Sequence, residues 1–161
     1  MNIPYRPITL GLIALVFYVL LLERAMAGGG HFYTPVTDPL VKEECGSCHL
    51  AFAPSMLPAR SWQHMMGNLK THFGDDASLD ADTAAKITRY LVDNAADAGE
   101  RGDGGKLTRG VAGVPQRITE LPKWVREHRE VPDWEWRHKD VRTKANCVAC
   151  HVGAAQGNYD E

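Results

Sequence analysis

Two segments of this chain share one pattern: "EECGSCH" from Glu43 to His49 and "ANCVACH" from Ala145 to His151. Each contains C-x-x-C-H, and together they use all four cysteines. Two thiols three residues apart lie on the same side of a helical turn. The fold must therefore present the same thiol–thiol–imidazole edge twice, with 98 residues between Cys48 and Cys147. A four-cysteine zinc ribbon needs its pairs about 15–20 residues apart. A redox-active C-x-x-C disulfide belongs in a βαβ context, and no strand periodicity is visible. Neither alternative accounts for a histidine after both pairs.

C-x-x-C-H is the attachment signature of c-type haem. Its two thiols add to the two porphyrin vinyl groups as thioethers, and the next residue offers a ring nitrogen to the iron. Cys45, Cys48 and His49 are candidate site 1; Cys147, Cys150 and His151 are candidate site 2. One such motif can arise by chance. Two, with no spare cysteine, point to two covalently bound haem c groups.

The start of the chain agrees with export. Arg6 supplies a positive n-region, Ile8 to Leu22 is a mainly apolar run, and "AMA" (Ala25 to Ala27) precedes "GGG". The run of 15 residues is short against the roughly 20 a spanning helix needs. Residues 1–27 are read as a signal peptide cleaved after Ala27, which places the mature chain in the periplasm; left uncleaved, the segment would anchor it to the membrane. Residues 28–99 hold five basic and nine acidic side chains, residues 100–144 eleven and eight. The mature chain is weakly dipolar, without the strongly basic patch of a nucleic-acid binder.

Haem iron has a sixth position whose occupant largely decides function. Beyond residue 27 the methionines are Met56, Met65 and Met66, so site 2 has no local methionine. Met65 and Met66 fall at helical core spacing with Trp62 and Leu69, and Met56 lies between two prolines. Core packing is the preferred reading for all three. His72 ends the apolar face of "SWQHMMGNLKTHFG", read as one helix, and is assigned to haem 1. His128 follows Trp124 by four residues in "LPKWVREHREVP", read as a short helix that Val131–Pro132 ends, and is assigned to haem 2. The competing readings are a dipole-complementing cation for His72 and a buried, satisfied histidine for His128. His64 falls on a polar face, His31 after three glycines reads as mobile, and His138 is the substitute for His128.

An all-α architecture follows. Asp38 and Pro39 read as the cap and first position of a helix leading into motif 1. "SLDADTAAKITRYLVDNAAD" reads as a second amphipathic helix capped by Ser78 or Asp80, with Ala84, Ile87, Tyr90, Leu91 and Ala95 on its apolar face. Residues 28–99 form a first haem domain, 100–117 a glycine-rich linker, and 118–161 a small, mostly irregular or helical domain with haem 2. Forty-four residues hardly build an independent core, so haem and docking must supply apolar mass to the last part. The tail "GAAQGNYDE" reads as frayed.

These segments together resemble the dihaem cytochrome c family of exported bacterial proteins. The resemblance rests on "VTDPLVKEECGSCH", "LPARSWQHMMGNLKTHFG", "ASLDADTAAKITRYLVDNAAD", "RITELPKWVREHREVP" and "ANCVACH". It implies a class I cytochrome c-like N-terminal domain, in which His72 stands where single-haem relatives carry a methionine, and a distinct C-terminal haem domain. It implies bis-histidine ligation by His49 with His72 and His128 with His151. It also implies redox partners: a small oxygen-binding c-type cytochrome and a membrane-bound cytochrome b. The expected function is electron transfer by a monomer. The alternatives are a peroxidase or gas sensor with one open axial position, and a subunit that wires a larger complex.

Overall fold

The computed structural model describes residues 31–99 and 104–160; the predicted signal peptide and the start of the predicted linker lie outside them. Among the described residues the regular elements are α-helices and 3₁₀ turns. The β contacts are two isolated bridges, Phe32 with Asn158 and His72 with Asp75. The fold is all-α, as the sequence implies. From His31 onward the chain packs as one compact unit. No helix among the described residues is long and apolar enough to cross a membrane.

Helix α1 (Pro39–Gly46) begins as its sequence dictates. The Asp38 carboxylate accepts the Val41 N–H at 3.1 Å, and Pro39 fills a position where an N–H would go unused. Its inward residue, Val41, is buried, and its last turn delivers Cys45. Helix α2 (Ala59–Met66) buries Trp62, whose indole N–H donates to the Pro54 carbonyl at 2.7 Å. Helix α3 (Ala81–Asp93) is capped by Asp80, which accepts from the N–H groups of Asp82 and Thr83. Its apolar stripe reaches full burial at Ile87 and continues through Leu91 to Ala95. The two helices pack together, and their ends are tied by Ala96 N–H to the Leu57 carbonyl and Ala59 N–H to the Asp97 carboxylate.

Three local expectations are corrected. The helix through Trp62 does not run to His72; it stops at Met66, and a 3₁₀ turn (Leu69–Thr71) follows. Gly67 closes α2 by donating to the Gln63 carbonyl, and the Asn68 side chain donates to the His64 carbonyl at 2.7 Å. That side chain takes the acceptor a continuing helix would use. Similarly, α5 (Pro122–Glu127) ends before His128, which caps it. The third correction concerns the ends, read as a mobile arm and a frayed tail. Tyr33 N–H donates to the Gly157 carbonyl at 2.8 Å, Tyr159 N–H to the His31 carbonyl at 2.9 Å, and His31 N–H to the Asp160 carboxylate at 2.8 Å. Residues distant in sequence hold each other there, so neither end carries a local signal of order.

The described part of the predicted linker lies on the core. Helix α4 (Gly104–Leu107) packs on the Pro54–Met56 turn and buries Leu107. Arg60 donates to the carbonyls of Val111 and Gly113. Residues 118–160 are built from short pieces: α5, α6 (Asp133–Trp136), and 3₁₀ turns at Ile118–Glu120, Cys147–Ala149 and Ala154–Gln156.

Candidate haem-binding sites

Site 1 grows from the end of α1. Cys45 is on the helix, and Cys48 and His49 follow in the turn after it. The Nδ1 of His49 is 2.7 Å from the Leu50 carbonyl. A carbonyl only accepts, so Nδ1 carries the proton and Nε2 keeps its lone pair for a metal. His72 comes from a tight turn beyond the 3₁₀ segment. Its N–H donates to the Asp75 carbonyl at 2.9 Å, and its carbonyl accepts from Asp75 N–H at 3.1 Å. The two residues between, Phe73 and Gly74, have φ of 53° and 113°. Positive φ at both central positions suits a two-residue hairpin turn, and it costs a non-glycine residue such as Phe73 some strain.

This turn sets the His72 ring 6.1 Å from the His49 ring, centre to centre, with 22° between their planes. A metal–nitrogen bond of about 2 Å and about 1 Å from nitrogen to ring centre, counted on both sides, come to roughly 6 Å. The gap therefore suits one metal ion held between two imidazoles. Burial, then the neighbouring His49, hold the His72 imidazole below its usual pKa range, partly opposed by Asp75. Both effects favour the neutral ring that a metal requires. Phe52 stacks on His49 at 5.2 Å, and the Arg117 guanidinium lies 4.0 Å over the Phe73 ring.

Site 2 has the same donors on different backbone. A 3₁₀ turn (Cys147–Ala149) carries the motif, and His151 N–H donates to the Cys147 carbonyl at 2.8 Å. That bond brings the histidine back beside the first cysteine. His128, at the end of α5, bonds the Trp124 carbonyl through Nδ1 at 2.8 Å, which again leaves Nε2 free for a metal. The Trp124 ring stacks on the His128 ring at 4.1 Å and 13°. Trp136 lies 5.7 Å from Trp124, and the Lys144 ammonium stands over both indoles at 5.5–6.0 Å. The His128 and His151 rings are 6.1 Å apart, with planes at 79°. His151 Nδ1 is buried without a hydrogen-bond partner.

The residues fit haem at both places. All four cysteines are free thiols. Burial raises the Cys45 thiol pKa, helped by Glu44, and pushes that of Cys147 up to about 11. Among the described residues no cluster of three or more His, Cys, Asp or Glu could hold a metal ion. Each histidine pair offers two imidazoles whose ring centres are 6.1 Å apart, beside the two thiols of its motif.

The other histidines and the methionines lie in other surroundings. His64 is exposed, His138 Nδ1 is 3.6 Å from Asp140, and His31 Nε2 is 3.5 Å from Glu127. Met56 is buried in the core, and Met65 and Met66 pack against it. Sequence reasoning missed Phe52, Phe73, Arg117 and Tyr159 as neighbours of the imidazoles. Phe52 and Phe73 adjoin motif residues and were within reach of a local reading. Arg117 and Tyr159 had no such signal.

Comparison with known proteins places this arrangement. The model of the family described as dihaem cytochrome c matches residues 41–159. A structure of a diheme cytochrome c from Rhodobacter sphaeroides is similar at 44% identity and a TM-score of 0.70, covering 78% of this chain and 98% of that one. A second structure, of DHC purified from Rhodobacter sphaeroides, matches at 43% identity and a TM-score of 0.64, covering 77% and 98%. A diheme cytochrome type c from Shewanella baltica OS155 matches at 36% identity and a TM-score of 0.63, covering 76% and 86%. Comparison with curated proteins finds no match. The chain therefore belongs to the dihaem cytochrome c family, as an electron-transfer cytochrome whose two C-x-x-C-H motifs fit two covalently bound haem c groups.

Proposed function

We propose that this chain is a periplasmic electron carrier in which His49 and His72 ligate haem 1, and His128 and His151 ligate haem 2. The observation that carries the reading is the 6.1 Å separation of ring centres that recurs in both histidine pairs. Each haem supplies one-electron chemistry when bound. The protein's own part is to hold a ring nitrogen at both axial positions, so that small molecules find no vacant one. The carbonyls of Leu50 and Trp124 fix the tautomers of His49 and His128. Phe52 and Trp124 cover one face of those rings and limit their rotation. Histidine in place of methionine favours the ferric state.

The acidic first half and basic second half support docking of oppositely charged partners on different faces. The resemblance points to a small oxygen-binding c-type cytochrome and a membrane-bound cytochrome b as those partners. Raising ionic strength is expected to slow at least one of the transfer reactions in stopped-flow mixing. Rates independent of salt with every partner would remove the electrostatic part of the proposal. Export to the periplasm rests on residues 1–27 and is tested by the N-terminal sequence of the mature protein, expected to begin at Gly28.

Ferric EPR of the holoprotein, followed by carbon monoxide on the reduced form, tests the ligation. Two low-spin signals and no carbon monoxide binding are expected. His72→Ala and His128→Ala should then each open one haem. A high-spin signal with carbon monoxide bound in the unmodified protein would replace the carrier by a gas-binding or peroxidase-like protein.

A further inference from the structure

His151 is the one assigned ligand whose outer nitrogen is buried without a partner. Its ring must be held by something other than the hydrogen bond that orients His49 or His128. One ring reaches it from the tail of the chain, and two further contacts hold that ring. The Tyr159 ring lies 5.7 Å from the His151 ring. Tyr33, which is buried, meets Tyr159 edge-on at 5.3 Å and 84°. Behind them the backbone of residues 31–33 pairs with that of residues 157–160.

The pairing depends on Gly157. Its φ is +87°, and a Cβ there would stand 2.1 Å from the Tyr33 carbonyl oxygen. A left-handed backbone and so close an approach both call for glycine. A cavity of about 200 Å³ adjoins this clasp. Leu50 and Ala51, just after motif 1, line it together with Ala154 and Tyr159, just after motif 2. Burial raises the Tyr159 hydroxyl well above its usual pKa, so the ring stays neutral.

We propose that Tyr159, clasped against residues 31–33 through Gly157, is a positioning residue that orients His151 and keeps water from haem 2. The proposal rests on His151 being a haem ligand. Ferric haem carries one more positive charge than ferrous haem, and burial disfavours the more charged state. Admitting water beside His151 therefore lowers the reduction potential of haem 2. Haem 1 has its own ligands and serves as an internal control.

The experiment is ferric EPR and a potentiometric titration of the holoprotein and its variants, with two haems per chain confirmed by haemochrome absorbance. The haem 2 signal is identified as the one lost in His128→Ala. Tyr159→Leu is expected to change its g values and lower the potential of haem 2, with haem 1 unmoved. Tyr159→Phe keeps the ring and should restore both properties. Asp160→Ala cuts only the bond from His31 N–H and should shift haem 2 in the same direction by less; it serves if the Leu variant does not fold. An unchanged haem 2 in Asp160→Ala and in folded Tyr159→Leu, or equal shifts at both haems, overturns the proposal. Absence of a second low-spin signal in the unmodified protein would instead sink the ligand assignment on which it stands.

Discussion

The two proposed haem sites pair the same residue types at the same 6.1 Å ring separation, yet they are built by different means. At site 1 the motif hangs from a capped helix and is backed by the α2–α3 packing. At site 2 it rides a 3₁₀ turn between α6 and a tail that returns to residues 31–33. Of the fifteen buried hydrophobic residues among the described ones, eleven lie in residues 31–99 and three in residues 118–160. Aromatic rings take the place of aliphatic core around His128: Trp124 stacks, Trp136 tilts in, and Lys144 covers both. The comparison teaches that a ligand pair can be spaced equally well by a regular scaffold or by stacked rings. With few buried residues of its own, the second method should leave less structure when the cofactor is removed.

Removing haem 2 should expose that difference most sharply. Cys147→Ser with Cys150→Ser is expected to abolish slow amide exchange through residues 118–160 while residues 59–93 keep theirs. Hydrogen exchange read by mass spectrometry checks this, because regions with few buried contacts open first. Retained protection through Val141 and Ala154 would mean that site 2 has an adequate core of its own.

Side-chain truncation offers a smaller and more local contrast. Ile87→Ala empties the fully buried centre of α3 and should cost about 2–5 kcal/mol in thermal or denaturant unfolding. Val125→Ala, on a residue of α5 that is 52% exposed, should stay within about 0.5 kcal/mol. Comparable losses at the two positions would erase the distinction between the halves.

Ring orientation separates the sites without touching stability. With imidazole planes at 22°, as between His49 and His72, both rings would act on the same d orbital of an iron held between them and split its π-type pair. At 79°, as between His128 and His151, they would act on different orbitals and leave the pair nearly degenerate. The haem 1 signal should be rhombic with moderate g spread, and the haem 2 signal should show a large maximum g value. Two superimposable signals would show that the rings align alike once haem is bound.

The smallest expected effect concerns Arg117. It stacks on the half-exposed Phe73 and pairs with Glu120 at 3.5 Å. A cation over an exposed ring contributes about 0.5–1 kcal/mol. Arg117→Ala should lower stability by no more than that. Loss of a positive charge beside the His72 turn should also lower the potential of haem 1 and leave haem 2 unchanged. A shift confined to haem 2 would misplace Arg117 in this account.

Much of the site is legible in the sequence, because its chemistry is written locally. Two thiols and an imidazole in five residues define an attachment edge whatever surrounds them. Asp38–Pro39 and Asp80 announce helix starts through hydrogen bonds that span three residues. The α3 stripe through Ile87 and Leu91 follows from a period of 3.6. His72 and His128 could be proposed as partners because each continues the apolar face of its segment. The Gly67–Asn68 break was visible in the letters, but an apolar pattern running on to Leu69 and His72 outweighed it.

Tertiary structure decided everything that depends on residues far apart in the chain. It set the angle between the paired rings, laid Arg117 over Phe73, and joined residues 31–33 to 157–160. No periodicity or cap encodes such contacts, since each side is satisfied only by the other after the chain has folded. The tail shows the reason plainly. "GAAQGNYDE" has little apolar content and no helical pattern, and residues 157–160 are held because Gly157 lets the backbone meet Tyr33 and because Tyr159 finds both Tyr33 and His151 to pack against.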